Sequence, residues 1–320
     1  VLLVLAITSL AGWWIYSMSP TAWENLLGAR MQDFLTLTLS VLIEALPFVI
    51  LGVTISVLIQ LFLPPNWILN HLPKNIYLRR IILSVSGIAL PVCECGNVPV
   101  ARSLIAKGLS PAESLVFLFT APIINPITYI STVEAFRLDP SIVAWRFAGA
   151  LIIANVVASL IGYLGRSRPI VTEEFAAVCE ADEHHHRPTL RYGLDLFYRE
   201  FWTVLRMLGL GAVIAAASQT FIPREVVTSI GSHGFLSILA MISLAFTISI
   251  CSNVDAFFAL TYARTFTSGS IVSFLVFGPM IDIKLLALMK STYRPWVLAT
   301  MTGSVFVLSF LLGLVVNYVR

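Results

Sequence analysis

The stretch Pro91-Val92-Cys93-Glu94-Cys95-Gly96-Asn97-Val98-Pro99 places two thiols, a carboxylate and an amide between apolar segments of the chain. Polar groups inside a membrane are costly, so they usually mark a functional position. A shorter version of this motif recurs in the second half of the chain as Ser249-Ile250-Cys251-Ser252-Asn253-Val254-Asp255. Because the two motifs hold three of the four cysteines, we treat them as counterparts.

The composition predicts an all-α polytopic membrane protein. Of the 320 residues, 58% are hydrophobic and 12% are charged, whereas about a quarter of the residues in a soluble domain are charged. Several apolar runs approach the length of about 20 residues that a membrane-spanning helix needs. The net charge of +3 fits lysines and arginines in loops. No basic cluster with interleaved aromatic residues predicts a nucleic-acid partner.

The segments around the first cysteine motif are too short to cross a bilayer. About ten apolar residues precede Pro91, and the run after the motif is equally short. Two short arms around a polar tip predict a re-entrant hairpin or a broken helix, which membranes tolerate only where protein or water lines a cavity. At the start of the chain, residues 1–18 are predicted to be an extra N-terminal span rather than a signal peptide, because they lack a basic leading region and a convincing cleavage site.

The two halves of the chain carry the same features in the same order. In each half a Gln-x-x-x-Pro sequence precedes the cysteine motif, and a Pro-x-x-Asn or Pro-x-x-Asp sequence follows it. The matched residues are Gln60 with Gln219, Pro64 with Pro223, Cys95 with Cys251, Pro122 with Pro279 and Asn125 with Asp282. We therefore predict a first permease repeat over 32–164 and a second over 199–319, joined by a polar cytoplasmic loop over 165–198.

The basic residues predict how the two repeats are oriented. If every apolar segment crosses, the nine spans leave ten loop lysines and arginines inside and eight outside. If both cysteine segments are re-entrant, the split becomes twelve to six, which the positive-inside rule favours. Each repeat then has three crossings, so the repeats are inverted. Inverted repeats with broken helices and a midplane site are common in secondary transporters.

The tips of two inverted hairpins would meet near the bilayer centre and bring Cys93, Cys95 and Cys251 together. Three thiolates suit a soft species such as Zn(II), Cu(I) or a trivalent arsenical, and do not suit Mg or Ca. The alternative is that each cysteine is a small buried hydrophobic residue. Recurrence at a polar tip bounded by Gly and Pro favours a substrate site.

Four other polar residues near the breaks are candidate substrate-binding residues, namely Asn97, Asn253, Asn125 and Asp282. The alternative is that they only satisfy backbone groups that the broken helices leave free. The carboxylates of Glu44, Glu94 and Asp255 are candidate proton carriers, since burial of a carboxylate favours its protonated form. For Glu44, a structural pair with Arg206 is the competing hypothesis.

The polar loop contains a tract that resembles a metal-binding segment. Its candidate ligands are Cys179, His184, His185 and His186, and histidine is the commonest metal ligand. We predict that this tract binds a divalent metal, and the alternative is a solvated linker. No other cofactor is predicted. The chain has no P-loop, G-x-S-x-G elbow or zincin helix, so nucleotide hydrolysis and hydrolase chemistry are not predicted.

Several motifs together resemble a known family of predicted permeases, which includes the ArsP-type efflux permeases for trivalent organoarsenicals. The motifs are Cys93-Glu94-Cys95-Gly96-Asn97-Val98-Pro99, Leu109-Ser110-Pro111, Ala121-Pro122-Ile123-Ile124-Asn125-Pro126, Cys251-Ser252-Asn253 and Phe277-Gly278-Pro279. The resemblance implies a multi-pass permease of the inner (plasma) membrane whose cysteines handle a thiophilic substrate.

Two functions from different classes follow from these observations. The first is a secondary transporter that moves a soft metal ion or an organometalloid through a midplane cysteine site. The second is a membrane thiol oxidoreductase that uses Cys93 and Cys95 as its redox pair. Transport is favoured, because Cys179 and Cys251 do not form a second pair in the sequence. The expected partners are the lipid bilayer, the small substrate and a soluble metal-handling protein, and the oligomeric state is left open.

Overall fold

The computed structural model describes residues 29–64, 71–89, 93–183, 190–221 and 234–319. These residues form thirteen α-helices and no β-strand beyond one isolated bridge between Val171 and Tyr293. The helices are α1 Ala29–Phe62, α2 Ile76–Val85, α3 Glu94–Ala106, α4 Pro111–Thr120, α5 Pro126–Ala135, α6 Pro140–Leu164, α7 Glu173–Glu183, α8 Leu190–Phe221, α9 Gly234–Ile248, α10 Asp255–Tyr262, α11 Ser268–Met280, α12 Ile283–Met289 and α13 Pro295–Val319. The predicted span over 1–18 lies outside the described residues.

The prediction of an all-α polytopic membrane protein is confirmed. Within the described ranges, five segments are long and apolar enough to cross a membrane. They are α1, α6, α8, α13 and the continuous run of α11 with α12. The pair α4 and α5 forms a sixth crossing that is interrupted at residues 121–125.

Helices α2 and α3 form a re-entrant hairpin. They contain 10 and 13 residues, and at 1.5 Å per residue neither can cross a hydrocarbon core of about 30 Å. Near the start of α2, the Arg79 guanidinium donates a hydrogen bond of 2.6 Å to Glu113 in the first turn of α4. Because α4 begins only a few residues after α3 ends, the hairpin leaves the membrane on the side where it entered.

Helices α9 and α10 form a second re-entrant hairpin. Ser237 in the first turn of α9 donates a hydrogen bond of 3.0 Å to Ser270 in the first turn of α11. Helix α10 has only eight residues and ends shortly before α11 begins. The chain therefore enters along α9 and returns along α10 to the same side.

The two hairpins enter from opposite sides of the molecule. We call the side that carries residues 165–183 the loop side, and α2 starts there because Arg80 bonds to Ser159 near the end of α6. Helix α13 also begins on the loop side, where Arg294 bonds to Glu173 at 2.9 Å. It ends on the far side, where Asn317 accepts a hydrogen bond of 2.8 Å from the backbone N–H of Gly269 at the start of α11.

The repeats are therefore inverted, as predicted. Helices α1 to α6 correspond in order to α8 to α13, and the first helices of the two sets pack antiparallel. Near the end of α1, Ser56 and Gln60 donate hydrogen bonds of 2.7 and 2.8 Å to Glu200 near the start of α8.

The bounds of the two repeats, 32–164 and 199–319, stay a prediction. The segment 165–198 is not entirely a loop, because it includes α7 and the first turns of α8.

Packing places each hairpin tip against the opposite repeat. Helix α3 contacts α12, and α10 contacts α5. Helix α3 also lies unusually close to α1, because a Cβ added to Gly52 would lie 2.7 Å from the Cα of Gly96. The turn after α2 is equally close to the break in the sixth crossing, where a Cβ on Gly87 would lie 2.5 Å from the Cα of Ala121. Glycine at these positions holds the tip of the first hairpin deep in the core.

Side-chain caps explain where the broken helices restart. Ser110 caps α4 by accepting the N–H of Glu113 at 3.3 Å. Asn125 caps α5 by accepting the N–H of Ile127 at 2.9 Å. In the matched position, Asp282 caps α12 by accepting the N–H of Leu285 at 2.6 Å. The breaks after Pro122 and Pro279 thus end in equivalent N-caps.

Candidate functional site

The tips of the two hairpins meet in the core and bring two cysteines and a carboxylate together. The Sγ atoms of Cys93 and Cys251 and a carboxylate oxygen of Glu94 all lie within 4.8 Å of one another. All three residues are buried. The Cys93 thiol also contacts the thiol of Cys95. We call Cys93, Glu94, Cys95 and Cys251 the thiol cluster.

The start of α3 explains the position of Cys93. This residue is the N-cap of α3 and has extended backbone angles, φ −73° and ψ 173°. Its side chain makes no capping hydrogen bond, so the thiol is directed to other groups. The first N–H groups of a helix lack intrahelical partners and carry partial positive charge. Glu94, in the first turn of α3, is the negatively charged group that this helix end stabilises.

Glu94 joins the two hairpin tips. Its Oε2 atom accepts a hydrogen bond of 3.3 Å from the Ser252 hydroxyl and a weaker one of 3.8 Å from the Cys251 thiol. Its Oε1 atom lies 3.2 Å from the ammonium group of Lys284 on α12. Glu94 therefore connects both hairpins with the half-helix that packs against α3.

Lys284 is shared between two carboxylates. Its Nζ lies 3.2 Å from Glu94 and 3.6 Å from Oδ2 of Asp282, and all three side chains are nearly inaccessible to solvent. With every group ionised, this part of the site has one negative charge in excess. Such an environment favours a cationic or proton-bearing occupant over an anion.

A second buried ion pair lies beside the second hairpin. The Arg146 guanidinium on α6 contacts Oδ2 of Asp255 at 2.7 Å, and it also donates a hydrogen bond of 2.9 Å to Thr132 on α5. The backbone N–H of Asp255 bonds to the carbonyl of Cys251 at 3.1 Å. Six residues of α6 precede Arg146, and its side chain is fully buried.

The predicted amide residues are divided between the hairpins and the breaks. Asn97 is buried within α3. Asn253, which is half-buried, accepts a hydrogen bond of 3.2 Å from Thr128 on α5. Asn125 and Asp282 each accept a backbone N–H in the first turn of a helix. The alternative prediction, that these residues satisfy backbone groups left free by the breaks, therefore explains one contact of each side chain.

Some predicted residues are not part of the thiol cluster. Glu44 on α1 and Arg206 on α8 are both exposed, and no ion pair joins them within the described part of the chain. Cys179 lies in α7, within the predicted loop. His184, His185 and His186 lie outside the described residues.

Three buried residues of the site were not predicted from the sequence, namely Lys284, Arg146 and Ser252. Lys284 and Arg146 lie inside apolar runs, where an ionisable residue is by itself a reason to suspect function. Lys284 is also only two residues from Asp282. No sequence feature identified their partners, because the residues of these pairs are 190 and 109 positions apart.

The thiol cluster has the composition and spacing of a site for a soft ion. Two ligands that each lie about 2.3 Å from one zinc ion are at most about 4.6 Å apart, and these donor atoms all lie within 4.8 Å of one another. Thiolates prefer Zn(II), Cu(I) and similar ions. Among the described residues, Cys93, Glu94 and Cys251 are the group of Cys, His and acidic side chains close enough to share one ion.

The model of a family described as a predicted permease matches residues 30–318. The chain belongs to this family. It is therefore a multi-pass membrane protein of a permease family, which agrees with the resemblance found in the motifs. No solved structure matches the chain.

Three curated relatives support this membership. UPF0718 protein YcgR of Bacillus subtilis (strain 168) is 37% identical over 268 residues, which are 80% of this chain and 87% of the relative. A protein of Streptococcus mutans serotype c (strain ATCC 700610 / UA159), named putative two-component membrane permease complex subunit, is 33% identical over 299 residues, 92% of this chain and 99% of the relative. UPF0718 protein YraQ of Escherichia coli (strain K12) is 24% identical over 175 residues, 54% of this chain and 49% of the relative.

Proposed function

We propose that this permease moves a soft, thiophilic substrate, either a transition metal ion or a trivalent organoarsenical, through the thiol cluster. The observation that carries the proposal is the meeting of Cys93, Glu94 and Cys251 at the tips of two hairpins that enter from opposite sides. A site at that position is reached from either side by local movement of a hairpin, as in transporters with inverted repeats. We place the protein in the inner (plasma) membrane with its loop side in the cytoplasm, since basic residues are concentrated there.

In this function the residues have separate roles. Cys93 and Cys251 bind the soft atom from the two hairpins, and Cys95 lies close enough to Cys93 to exchange with it. Lys284 fixes the Glu94 carboxylate beside the thiols. Asn253 orients the turn that carries Cys251, through its hydrogen bond with Thr128 on α5. Proton coupling through Glu44, Glu94 or Asp255 stays a prediction.

Transport assays on thiol variants test the proposal. Uptake of zinc, copper(I), arsenite and methylarsenite is measured in everted membrane vesicles. Cys93→Ser, Cys95→Ser and Cys251→Ser should each remove most of the flux, because a hydroxyl does not replace a thiolate as a ligand for a soft atom. Cys179→Ser is the control and should retain the maximal flux, because this cysteine lies in α7 and not in the thiol cluster. Wild-type flux in a Cys93→Ser/Cys251→Ser double variant would exclude the thiol cluster as the carrier site.

The contact between Cys93 and Cys95 supports thiol oxidoreduction as the second candidate function. The same variants separate the two functions. A redox pair made of Cys93 and Cys95 would exchange disulfides with an added dithiol even when Cys251 is replaced by serine. A carrier site needs Cys251 and does not need net oxidation. Retained exchange in Cys251→Ser together with unchanged substrate flux would favour the oxidoreductase.

We also propose that the chain works with a second membrane subunit that covers Glu44 and Arg206. A relative of similar length is named as a subunit of a two-component complex, and charges that face lipid within a span are costly unless a partner pairs with them. After mild detergent extraction, a second membrane protein should co-purify in fixed ratio with the wild type and be lost from Glu44→Gln/Arg206→Gln. A wild-type chain that purifies alone at full activity would contradict this assembly.

A further inference from the structure

A cavity of 520 Å³ lies on the far side of the molecule, between the first repeat and the end of the second hairpin. Its lining comes from the end of α5, the start of α6, the end of α10 and the start of α11, and includes Ala135, Ile142, Leu260 and Ala263. The fully exposed Leu138, in the turn between α5 and α6, also lines it. The cavity therefore reaches the surface where the second hairpin ends.

The ion pair of Arg146 with Asp255 lies about one helical turn deeper than this cavity. On α6, Ile142 lines the cavity, and Arg146 follows four residues later on the same face of the helix. On α5, Ala135 lines the cavity, and Thr132, three residues nearer the core, accepts the hydrogen bond from Arg146. These steps are about 5–6 Å along a helix. Asp255 is the innermost residue of α10. The pair thus joins the three helices beneath the cavity.

The same pair lies next to the thiol cluster. The backbone N–H of Asp255 bonds to the carbonyl of Cys251 at 3.1 Å, and the Cys251 thiol contacts the Glu94 carboxylate. A species that moves from the cavity to Cys251 along the facing sides of α5, α6 and α10 must therefore pass the pair.

A row of buried hydroxyl groups follows this route on α5. Thr128, Ser131 and Thr132 are all buried, and each donates a hydrogen bond of 2.6–3.0 Å to a backbone carbonyl. Thr132 contacts Arg146, whereas Thr128, one turn deeper, contacts Asn253 in the tip of the second hairpin. Hydroxyl groups are costly to bury in an apolar interior. Their position between the cavity and the hairpin tip provides polar contacts along the route.

The ion pair is held by a single contact between the two repeats. Arg146 belongs to the first repeat and Asp255 to the second hairpin, and one nitrogen and one oxygen atom meet at 2.7 Å. Within the described part of the chain, Nε of Arg146 and Oδ1 of Asp255 have no hydrogen-bond partner. A buried pair that stabilises a fold usually has its remaining atoms satisfied as well. Movement of the second hairpin away from α6 breaks this one contact.

The matched position on the loop side is filled. When the breaks of the two repeats are aligned, Ala135 corresponds to Thr292. Thr292 is buried and accepts a hydrogen bond of 3.1 Å from Arg102 on the first hairpin. The ring of Phe175 in α7 covers this guanidinium at 4.5 Å. The first hairpin is therefore covered by α7 at the position where the second hairpin has a cavity.

We propose that the far-side cavity is the entrance of the substrate path, and that the Arg146–Asp255 pair closes this path outside Cys251. The inference rests on the proposed carrier role of the thiol cluster. A soft ion or organometalloid moves from the cavity along the hydroxyl groups of α5 and reaches Cys251 when the second hairpin moves and the pair opens. The pair then controls access to the thiol cluster from the far side.

Thiol modification in sealed vesicles tests the path with the ion pair intact. Ala135→Cys, Thr128→Cys and Thr292→Cys are made one at a time in a chain whose four native cysteines are replaced by serine. A small impermeant reagent, trimethylammonium-ethyl methanethiosulfonate, is added from one side, and its rate of reaction is measured. From the far side, Ala135→Cys should react at least about ten times faster than Thr128→Cys, because an open state populated at about 10% or less limits access beyond the pair. Thr292→Cys should react slowly from the loop side.

Opening the pair tests its role directly. In a chain with Cys251 as the only cysteine, the reagent should react slowly from both sides. Asp255→Asn keeps the size of the side chain and removes its charge. We expect this change to raise the rate at Cys251 about tenfold from the far side, since a hydrogen bond between charged groups is weakened. The rate from the loop side should stay the same.

Two double variants make this test specific. Arg146→Lys/Asp255→Glu keeps the pair, because the longer acid compensates for the shorter cation, so the slow rate at Cys251 should return. Glu134→Gln/Arg137→Gln is the control, since this exposed pair lies at the cavity and not beneath it. Its rates should equal those of the parent chain. A rise from both sides in Asp255→Asn would show general loosening and would overturn the proposal.

Labelling and flux separate this inference from the carrier function. Equal rates at Ala135→Cys and Thr128→Cys from the far side would overturn the entrance even if the thiol variants lose transport. These two rates are measured with the pair intact, so they decide the matter even if Asp255→Asn fails to fold. Wild-type flux in Cys93→Ser/Cys251→Ser would instead exclude the carrier site and leave the measured access from the far side unchanged.

Discussion

Five ionisable side chains around the two hairpin tips are buried, namely Glu94, Arg146, Asp255, Asp282 and Lys284. Every one of them contacts a group of opposite charge, either in the Arg146 pair or around Lys284. A buried pair contributes little net stability, because removing two ions from water is costly. Loss of one partner is much more damaging, since it leaves an uncompensated charge. These residues are therefore best tested by comparing single with double replacements.

Replacing Arg146 by methionine should strongly destabilise the protein. The change leaves the Asp255 carboxylate buried without its cation, and we expect the free energy of unfolding to fall by about 3–5 kcal/mol. The double variant Arg146→Met/Asp255→Leu should recover most of this loss. Unfolding in detergent, followed by tryptophan fluorescence against denaturant, measures both effects. Arg137→Met is the matched control and should change little, because its pair with Glu134 is exposed. A double variant no more stable than the single one would contradict the pairing.

At the scale of single elements, the two re-entrant hairpins depend on close backbone contact. Helix α3 can approach α1 because neither Gly52 nor Gly96 has a side chain at the contact. The turn after α2 likewise approaches the break at Ala121 closely, because Gly87 has no side chain at this contact. Close approach positions Cys93 and Glu94 at the start of α3, so the glycines affect the site without touching it.

Adding a methyl group at Gly52 should therefore separate α1 from α3. We expect Gly52→Ala to lower the free energy of unfolding by about 1–3 kcal/mol, the usual cost of overpacking, and to reduce transport. Gly209→Ala provides the control, because a Cβ at Gly209 meets nothing within 4 Å. Alanine there should be neutral or stabilising by up to about 1 kcal/mol. Equal behaviour of the two variants would show that the contact does not constrain the hairpin.

Labelling of single cysteines tests the re-entrant arrangement directly. In a background without the native thiols, Lys74→Cys and Ala106→Cys lie before and after the first hairpin, and Phe235→Cys and Arg264→Cys lie before and after the second. An impermeant maleimide should label the first two from the loop side and the last two from the opposite side. Labels on different sides within one pair would mean that the hairpin crosses, and the repeats would then not be inverted.

At the scale of the whole molecule, the segment after the first repeat connects the two halves on the loop side. Arg102 of α3 donates hydrogen bonds of 3.0 and 3.1 Å to Ser291 and Thr292 before α13. Its guanidinium also lies 4.5 Å from the ring centre of Phe175 in α7. Helix α7 thus contacts both the first hairpin and the connection that follows α12. A change in α7 can therefore affect transport without touching the thiol cluster.

We predict that the tract from Cys179 to His186 binds a divalent metal and adjusts transport. Replacing His184, His185 and His186 together by alanine should shift the half-saturating substrate concentration several-fold and leave the maximal flux unchanged. Metal affinity should fall as pH drops through about 6.5, because histidine ligands must be deprotonated. Flux measured with and without added zinc at pH 6 and pH 7.5 tests this, with His71→Ala as the control. Identical curves for the triple variant and the wild type would identify the tract as a linker.

The sequence by itself determined the membrane class, the repeat and the hairpins. Hydropathy depends on composition within about 20 residues, so it locates the spans without knowledge of their neighbours. The breaks at Pro122 and Pro279 and the N-caps Asn125 and Asp282 are also local features. Comparison of the halves then gave the inversion, because an odd number of crossings and the distribution of basic residues fix orientation.

Only the tertiary structure decided which polar groups meet. Lys284 contacts Glu94, which is 190 positions away in the sequence, and Arg146 contacts Asp255, which is 109 positions away. Neither partner can therefore be identified from sequence spacing. Tertiary packing also decided that Glu44, predicted as a proton carrier, is exposed on α1. Hydropathy locates a helix but does not fix its rotation about its own axis. That rotation is set by contacts between distant helices, and it decides which side chains face the thiol cluster.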